Sequence, residues 1–76
     1  MEELVRYLVG LLVDEPEEVQ VEPKQAGTIK MYEVYVAPDD LGKVIGRHGR
    51  TANALRSVVE AAARKRGEKA SVDIVS

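Results

Sequence analysis

The sequence predicts an α+β fold, in which a three-stranded mixed sheet carries three helices on one face. Two segments, residues 2–13 and 50–66, space their apolar residues as amphipathic helices do. Three segments, residues 19–22, 28–37 and 70–75, contain the alternation of half-buried strands. Because a helical crossover connects the last two strands, we expect them to pair in parallel. The predicted order of elements is therefore αββααβ.

The first predicted helix has an unusually wide apolar face. Leu4, Leu8 and Leu11 form one row at helical spacing, and a second row lies beside it, formed by Val5, Val9 and Leu12. Such a face either lies flat on the sheet or leaves a part, with Tyr7, free to contact a second subunit. Pro16 and the acidic residues around it end the helix.

A β-hairpin is expected next. We predict a short strand over residues 19–22, a turn over residues 23–27 and a long strand over residues 28–37. The long strand directs Tyr32, Val34 and Val36 towards the core and leaves a mixed face of Met31, Glu33 and Tyr35. Its tyrosines either pack against neighbouring strands or stack on nucleobases.

The second half of the chain contains two helices and a strand. Pro38 is followed by two aspartates that could provide the N-cap of a short helix over residues 41–45, with Leu41, Val44 and Ile45 turned inward. The long helix presents a core row of Ala52, Leu55, Val59 and Ala62. Gly67 is expected at the C′ position of that helix, and Ala70, Val72 and Ile74 should face inward from the last strand.

Length and composition indicate one small domain over residues 1–76. The absence of cysteine excludes disulfides and thiolate metal sites, and a single histidine makes a histidine-based metal cluster nearly impossible. We therefore expect no metal and no cofactor. No apolar run has the length of a membrane span, and Glu2 and Glu3 are unsuited to a signal peptide, so a cytoplasmic protein is expected.

The net charge of −2 conceals a strong asymmetry along the chain. Residues 1–40 hold ten acidic and three basic residues, whereas residues 41–69 hold eight basic and two acidic residues. Basic residues often accumulate near helix C-termini, which accounts for those at positions 64–66. It does not account for Lys43, Arg47 and Arg50, which indicate an anionic partner at that end of the molecule.

These three cations surround the most informative stretch, Val44-Ile45-Gly46-Arg47-His48-Gly49-Arg50. Gly46 and Gly49 lie three residues apart, with a predicted helix on each side. Glycine permits positive φ and close backbone approach, and the free N–H groups that open the second helix attract anions. Such a loop is suited to holding a phosphodiester backbone rather than to reading a base.

The same stretch, with Gly42 upstream, resembles the [IV]-I-G-x-x-G signature of KH domains. The predicted αββααβ order is similar to the type II KH arrangement, and the resemblance spans essentially the whole chain. The segment Asp40–Ala52 in particular is similar to the small stand-alone bacterial KH proteins of the KhpA-like family.

This resemblance implies single-stranded RNA binding in a cleft that holds about four nucleotides. Gly46 and Gly49 would shape the loop, Arg47 and His48 would meet phosphates, and Lys43 and Arg50 would add positive charge. Gly42, Val44 and Ile45 would line the apolar floor of the cleft, and Asn53 could reach a base or a sugar. Many KH domains carry a branched aliphatic residue where this chain has Ala52, which implies a shallower cleft.

The resemblance also implies an RNA chaperone or post-transcriptional regulator that pairs with itself or with a second KH protein. One alternative is a protein–protein adaptor or dimerisation module that keeps the KH fold. A DNA-binding helix-hairpin-helix is disfavoured, because its glycines are normally two residues apart. An enzyme is the least supported class, since no paired carboxylates or activated nucleophile can be assembled from these motifs.

Each site residue also has a structural interpretation. Gly46 and Gly49 could form an ordinary tight turn between helices. Arg47 and Arg50 could be ordinary surface cations, and Asn53 could be a solvated surface residue.

Overall fold

The computed structural model describes all 76 residues. Its sheet contains β1 (Gln20–Ala26), β2 (Ile29–Tyr35) and β3 (Ala70–Ile74), in the order β1-β2-β3. β1 pairs with β2 antiparallel, and β2 pairs with β3 in parallel. The mixed three-stranded sheet predicted from the sequence is therefore confirmed, with the hairpin on one side of β2 and the helical crossover on the other.

Three α-helices cover one face of this sheet: α1 (Glu2–Gly10), α2 (Leu41–Ile45) and α3 (Arg50–Lys65). Single 3₁₀ turns at Pro16–Glu18, Pro38–Asp40 and Arg47–Gly49 connect them to their neighbours. The α+β fold with three helices on one face is as predicted. None of the helices combines the length and the apolar composition that a membrane crossing requires.

One hydrophobic cluster lies between the helices and the sheet. β2 contributes Tyr32 and Val34, both buried, whereas the alternate residues of that strand are half-buried or exposed. α1 buries Val5 and Val9 in the cluster and packs the half-buried Leu8 against it, whereas Leu11, just after the helix, is 67% exposed. The remaining members of the cluster come from β1, α2, α3, β3 and the segment before β1: Val19, Val21, Val44, Leu55, Val59, Ala63, Ala70 and Val72.

The hairpin differs from the prediction. β1 continues through Pro23, which lies opposite Tyr32, as far as Ala26, which lies opposite Ile29. The turn consists only of Gly27, at φ +63°, and Thr28. Proline is tolerated because β1 is an edge strand, where a missing N–H need not break the sheet. Sequence alone cannot show that a strand is at the edge, and the predicted turn over residues 23–27 was therefore wrong.

Two details of the helices also differ from the prediction. α1 ends at Gly10 and not at residue 13, and the chain after it turns towards the start of α2. In α3 the last core position is Ala63, which is fully buried, whereas Ala62 is half-buried. The predicted row used spacings of three, four and three, but α3 keeps facing the core through a spacing of four after Val59.

The end of α3 follows the prediction. Gly67 adopts φ +72° and donates its N–H to the Arg64 carbonyl oxygen at 3.0 Å. The Glu68 N–H reaches back to the Ala63 carbonyl oxygen at 2.9 Å. These two bonds form a Schellman motif, which satisfies carbonyls that the helix itself leaves without partners.

Candidate nucleic-acid interface

The short helix α2 positions the glycine loop. Val44 is fully buried in the hydrophobic cluster, and Leu41 and Ile45 are half-buried beside it. The Gly46 N–H donates to the Gly42 carbonyl oxygen at 2.8 Å, which closes the last turn of α2. Val44 therefore fixes α2 on the hydrophobic cluster and does not reach the surface, so it cannot line the floor of a cleft as predicted. Gly42 is exposed and Ile45 is partly accessible.

Gly46 occupies a backbone conformation that only glycine adopts readily. Its φ of +76° and ψ of 172° lie in a region essentially closed to residues with a Cβ atom. A Cβ at this position would also lie 2.7 Å from Cβ and 2.9 Å from the backbone nitrogen of Thr51. The first loop glycine is therefore required both by its own conformation and by the first turn of α3.

Two of the three remaining loop residues adopt left-handed conformations. Gly49 has φ +73° and ψ 12°, and His48 has φ +58° and ψ 26°. His48 is the only residue other than glycine with positive φ. The chain therefore turns sharply between the two helices, and the Gly49 N–H closes the turn on the Gly46 carbonyl oxygen at 3.2 Å.

Two amides of this turn lie where a helical ladder supplies no acceptor. Arg47 and His48 are the first two residues of the 3₁₀ turn, the conformation of Gly46 interrupts the hydrogen-bond ladder of α2 before them, and neither N–H donates in any of the loop and cap hydrogen bonds. Both residues are exposed, so these amides open towards solvent immediately before the N-terminus of α3. Successive free amides in a turn form a concavity that suits an anion, and the helix dipole adds partial positive charge.

The side chains around the loop differ in how free their charges are. Arg47 and Arg50 are exposed and make no ion pair. Lys43, which the sequence placed in the same group, directs its ammonium to the carboxylates of Asp14 and Asp40. The hydrogen bond to Asp14 contributes most to raising the pKa of Lys43 above its ordinary value, against a smaller opposing effect of burial. Its charge is therefore shared with two carboxylates.

Asp40 has a different role from the predicted N-cap. Its side chain makes no hydrogen bond to the first turn of α2. It is only 1% exposed, and its carboxylate accepts the backbone N–H groups of Asp14 at 3.2 Å and Glu15 at 3.1 Å. Burial alone would raise the pKa of Asp40, but these two bonds and the Lys43 ammonium outweigh it and hold the pKa below its ordinary value. Asp40 therefore ties the segment after α1 to the helix that carries the loop.

Asn53 lies on the exposed side of α3, one turn after Gly49. Its Oδ1 accepts a hydrogen bond from a terminal nitrogen of Arg56 at 2.8 Å. The Nε of Arg56 donates to the Val72 carbonyl oxygen of β3 at 3.1 Å. Arg56 was not among the predicted site residues, although its position three residues after Asn53 places both side chains on the same helix face.

The open face of the sheet has the opposite electrostatic character. Glu22, Glu33 and Asp73 lie directly opposite one another across the three strands. Tyr35, on the same face, donates its hydroxyl to Glu33 Oε1 at 3.1 Å, and Tyr32 is buried on the other face. The hydrogen bond to Glu33 is the main cause that raises the pKa of Tyr35. Tyr32 therefore packs in the core, and Tyr35 is hydrogen-bonded to Glu33 on the open face.

The likeness to known proteins extends over nearly the whole chain. The family model described as "KhpA/KhpB, KH domain" matches residues 2–74, which include every element of the fold and the complete glycine loop. The chain belongs to the KhpA/KhpB family of KH domains.

Similar members of this family are small proteins of about the same length. RNA-binding protein KhpA of Halalkalibacterium halodurans is 48% identical over 75 residues, which cover 99% of each chain. RNA-binding protein KhpA of Clostridium perfringens is 45% identical and is covered completely. RNA-binding protein KhpA of Streptomyces coelicolor is 49% identical over 91% of its length.

A solved structure shares the fold at much lower sequence identity. Aquifex aeolicus Era superposes with a TM-score of 0.67 at 18% identity, over 96% of this chain and 28% of that chain. The similarity shows that the αββααβ arrangement also occurs within a larger protein.

Proposed function

We propose that this protein binds single-stranded RNA and that the loop Gly46–Gly49 holds the RNA backbone. The observation that carries the proposal is the pair of free amides at Arg47 and His48 in an exposed turn at the start of α3. Phosphate oxygens are acceptors that fit such a concavity. The relatives named RNA-binding protein KhpA support RNA as the polymer that supplies them.

The distribution of charge on the protein surface also supports RNA binding at the glycine loop. Arg47 and Arg50 are free to neutralise phosphates, and the exposed backbone of Gly42 beside Ile45 provides a narrow apolar surface for bases. The acidic row Glu22, Glu33 and Asp73 repels RNA from the open face of the sheet. RNA is therefore directed to the glycine loop and away from the open face of the sheet.

The function we propose is non-enzymatic. The carboxylates of Asp14 and Asp40 are both paired with Lys43 of α2, and no carboxylate pairs with a side chain of the loop. We propose that this protein acts as an RNA chaperone or post-transcriptional regulator in the cytoplasm. Because one loop contacts few phosphates, binding should be modest, and the slope of log K against log[salt] should be about −0.7 for each phosphate contacted.

The proposal is tested by fluorescence anisotropy of a labelled single-stranded RNA at two salt concentrations. The test variant combines Arg47→Asp with His48→Asp, and a matched control combines Lys24→Asp with Gln25→Asp on the exposed edge strand. Both variants change the formal net charge by the same amount, and circular dichroism checks that both are folded. Wild type and control should bind with a clear salt slope, while the loop variant should not bind. Equal binding by the two variants would refute the loop assignment.

The exposed apolar surface formed by α1, the residues directly after it and α3 also supports self-association. Tyr7 is 65% exposed, Leu11 67% and Val58 50%, and a groove of about 230 Å³ separates α1 from α3 beside them. Six of its seven lining residues are apolar: Leu8, Leu11, Leu12, Ala54, Leu55 and Val58, with Thr51 as the seventh. We propose that this surface joins two copies of the chain, or this chain and a second KH protein, which would raise RNA affinity through multivalency.

Light scattering coupled to size-exclusion chromatography tests the self-association. Val58→Asp places a charge in the proposed interface and should convert a dimer to a monomer that retains its circular dichroism spectrum. A wild type that is monomeric at high concentration would exclude the homodimer. A dimer that binds no RNA would favour the adaptor function over RNA binding.

A further inference from the structure

Arg56 connects α3 with β3 and also contacts Asn53, one turn after the second loop glycine. From α3 it donates Nε–H to the Val72 carbonyl oxygen of β3 and a terminal N–H to Oδ1 of Asn53. It pairs with no carboxylate, although carboxylates are the usual partners of a guanidinium. Its N–H groups donate instead to two neutral oxygens, so its side chain is held in one place between α3 and β3.

The contact with Arg56 decides which way the Asn53 carboxamide points. A guanidinium has only donors, so the carboxamide must offer its oxygen to Arg56, and the amino group must lie on the other side. Apart from the atoms of Gly49, its chain neighbours and the adjoining helix backbone, the heavy atom nearest to where a Cβ on Gly49 would lie is the Asn53 amino nitrogen, at 4.0 Å. The donor end of Asn53 therefore faces the second loop glycine.

We propose that Asn53 donates a hydrogen bond to a phosphate oxygen held at the Gly46–Gly49 loop, and that Arg56 is the residue that positions it. This proposal rests on the proposed RNA binding and adds a side-chain donor to the free amides of Arg47 and His48. Arg56 does not itself contact the phosphate. Its function is to keep the amino group, and not the oxygen, of Asn53 directed towards the anion.

Substitutions at Arg56 separate positioning from charge. Arg56→Gln removes both the charge and the forked donor, whereas Arg56→Lys keeps the charge but cannot reach Val72 and Asn53 with the same planar geometry. If Arg56 acts by position, both variants should weaken binding of a fluorescein-labelled single-stranded RNA octamer of mixed sequence by about tenfold. Arg64→Gln, which removes the same charge from an exposed site near the far end of α3, is the control and should change affinity by less than about twofold.

Asn53 is the only asparagine in the chain, which provides a direct spectroscopic test. Protein labelled selectively with ¹⁵N-asparagine gives a single side-chain NH₂ pair in a two-dimensional NMR spectrum. We expect this pair to shift when the RNA octamer is added to wild type, and to shift much less in the Arg56→Lys variant. A purely structural role for Arg56 would not change the response of this NH₂ group to RNA.

The outcomes distinguish this proposal from the proposed function. If the loop variant Arg47→Asp with His48→Asp loses binding but Arg56→Lys binds like wild type, RNA binding by the loop stands and the positioning role of Arg56 is overturned. An Asn53 NH₂ pair that does not respond to bound RNA would overturn the role of Asn53 as a donor. If wild type binds no RNA, the proposed function itself fails.

Discussion

The side chain of Thr51 occupies the space next to Gly46 in which any Cβ at position 46 would have to lie. The Thr51 Cβ is 2.7 Å from that point and its backbone nitrogen is 2.9 Å away. The first turn of α3 thus packs directly against the last turn of α2, with only the glycine backbone between them. The two helices that flank the loop can approach this closely because glycine has no side chain.

Substitution Gly46→Ala should destabilise the protein by about 2 kcal/mol or more, because it combines a forbidden backbone conformation with overlap on Thr51. Gly42→Ala is the matched control. Gly42 lies in helical conformation, and no heavy atom lies within 4 Å of the point that a Cβ there would occupy, so alanine should raise stability by about 0.5 kcal/mol. Urea denaturation followed by circular dichroism measures both, and similar stability of the two variants would contradict the packing argument.

A second prediction concerns His48, whose φ is +58°. His48→Gly removes left-handed strain but gives the unfolded chain more freedom, so stability should stay unchanged or rise by less than about 1 kcal/mol. Arg47→Gly, at negative φ, brings only the entropic penalty and should lower stability by about 0.5–1 kcal/mol. In thermal unfolding, the Tm of His48→Gly should therefore be higher than the Tm of Arg47→Gly. The reverse order of the two Tm values would refute strain at His48.

Asp40 should make folding stability depend on pH in the acid range. Its folded-state pKa lies below the ordinary value of about 3.9, so the unfolded chain takes up this proton at higher pH than the folded chain does. The stabilisation of the fold by the Asp40 carboxylate is therefore complete above about pH 4, and it is lost as the pH falls through the folded-state pKa of Asp40.

The variant Asp40→Asn tests this dependence. At neutral pH its Tm should be clearly below that of wild type, because an amide cannot accept both N–H groups from Asp14 and Glu15. The difference in Tm should narrow as the pH is lowered below about 4. The neighbouring exposed variant Asp39→Asn should show neither effect. A difference for Asp40→Asn that stays constant with pH would rule out this titration.

Adjacent valines on α3 should differ sharply in their importance for the fold. Val59 is fully buried, so Val59→Ala should cost about 2 kcal/mol through lost burial and the cavity that remains. Val58 is half-exposed, and Val58→Ala should cost less than about 0.5 kcal/mol in the monomer. Denaturation curves recorded at low protein concentration measure the free energy of unfolding of both variants. Equal losses of stability would show that the Val58 side chain is also buried in the folded monomer.

Several elements could be predicted because their causes are local. Gly67 ends α3 as expected, since a left-handed residue at that point needs only its own backbone and the preceding turn. The parallel pairing of β2 with β3 followed from the length of the connection between them. The glycine loop was located by its two glycines and the helical patterns around it.

The elements that were mispredicted or missed depend on distant partners. Pro23 is acceptable in β1 only because that strand is at the edge of the sheet. Asp40 has no helix-capping bond because its carboxylate accepts N–H groups from residues about 25 positions earlier in the chain. Arg56 finds its carbonyl acceptor on β3, 16 residues further along. No local pattern contains this information.

The sequence by itself therefore determined the α+β class, the order of the elements and the position of the glycine loop, because periodicity, turn chemistry and backbone freedom act over a few residues. Only the tertiary structure decided which cations near the loop remain free and that the Arg56 side chain beside Asn53 is fixed by Val72 of β3. Lys43 is drawn to Asp14 and Asp40, while Arg56 also donates to the Asn53 oxygen. Hydrogen bonds and ion pairs of this kind form only between groups that the folded chain brings within a few ångströms.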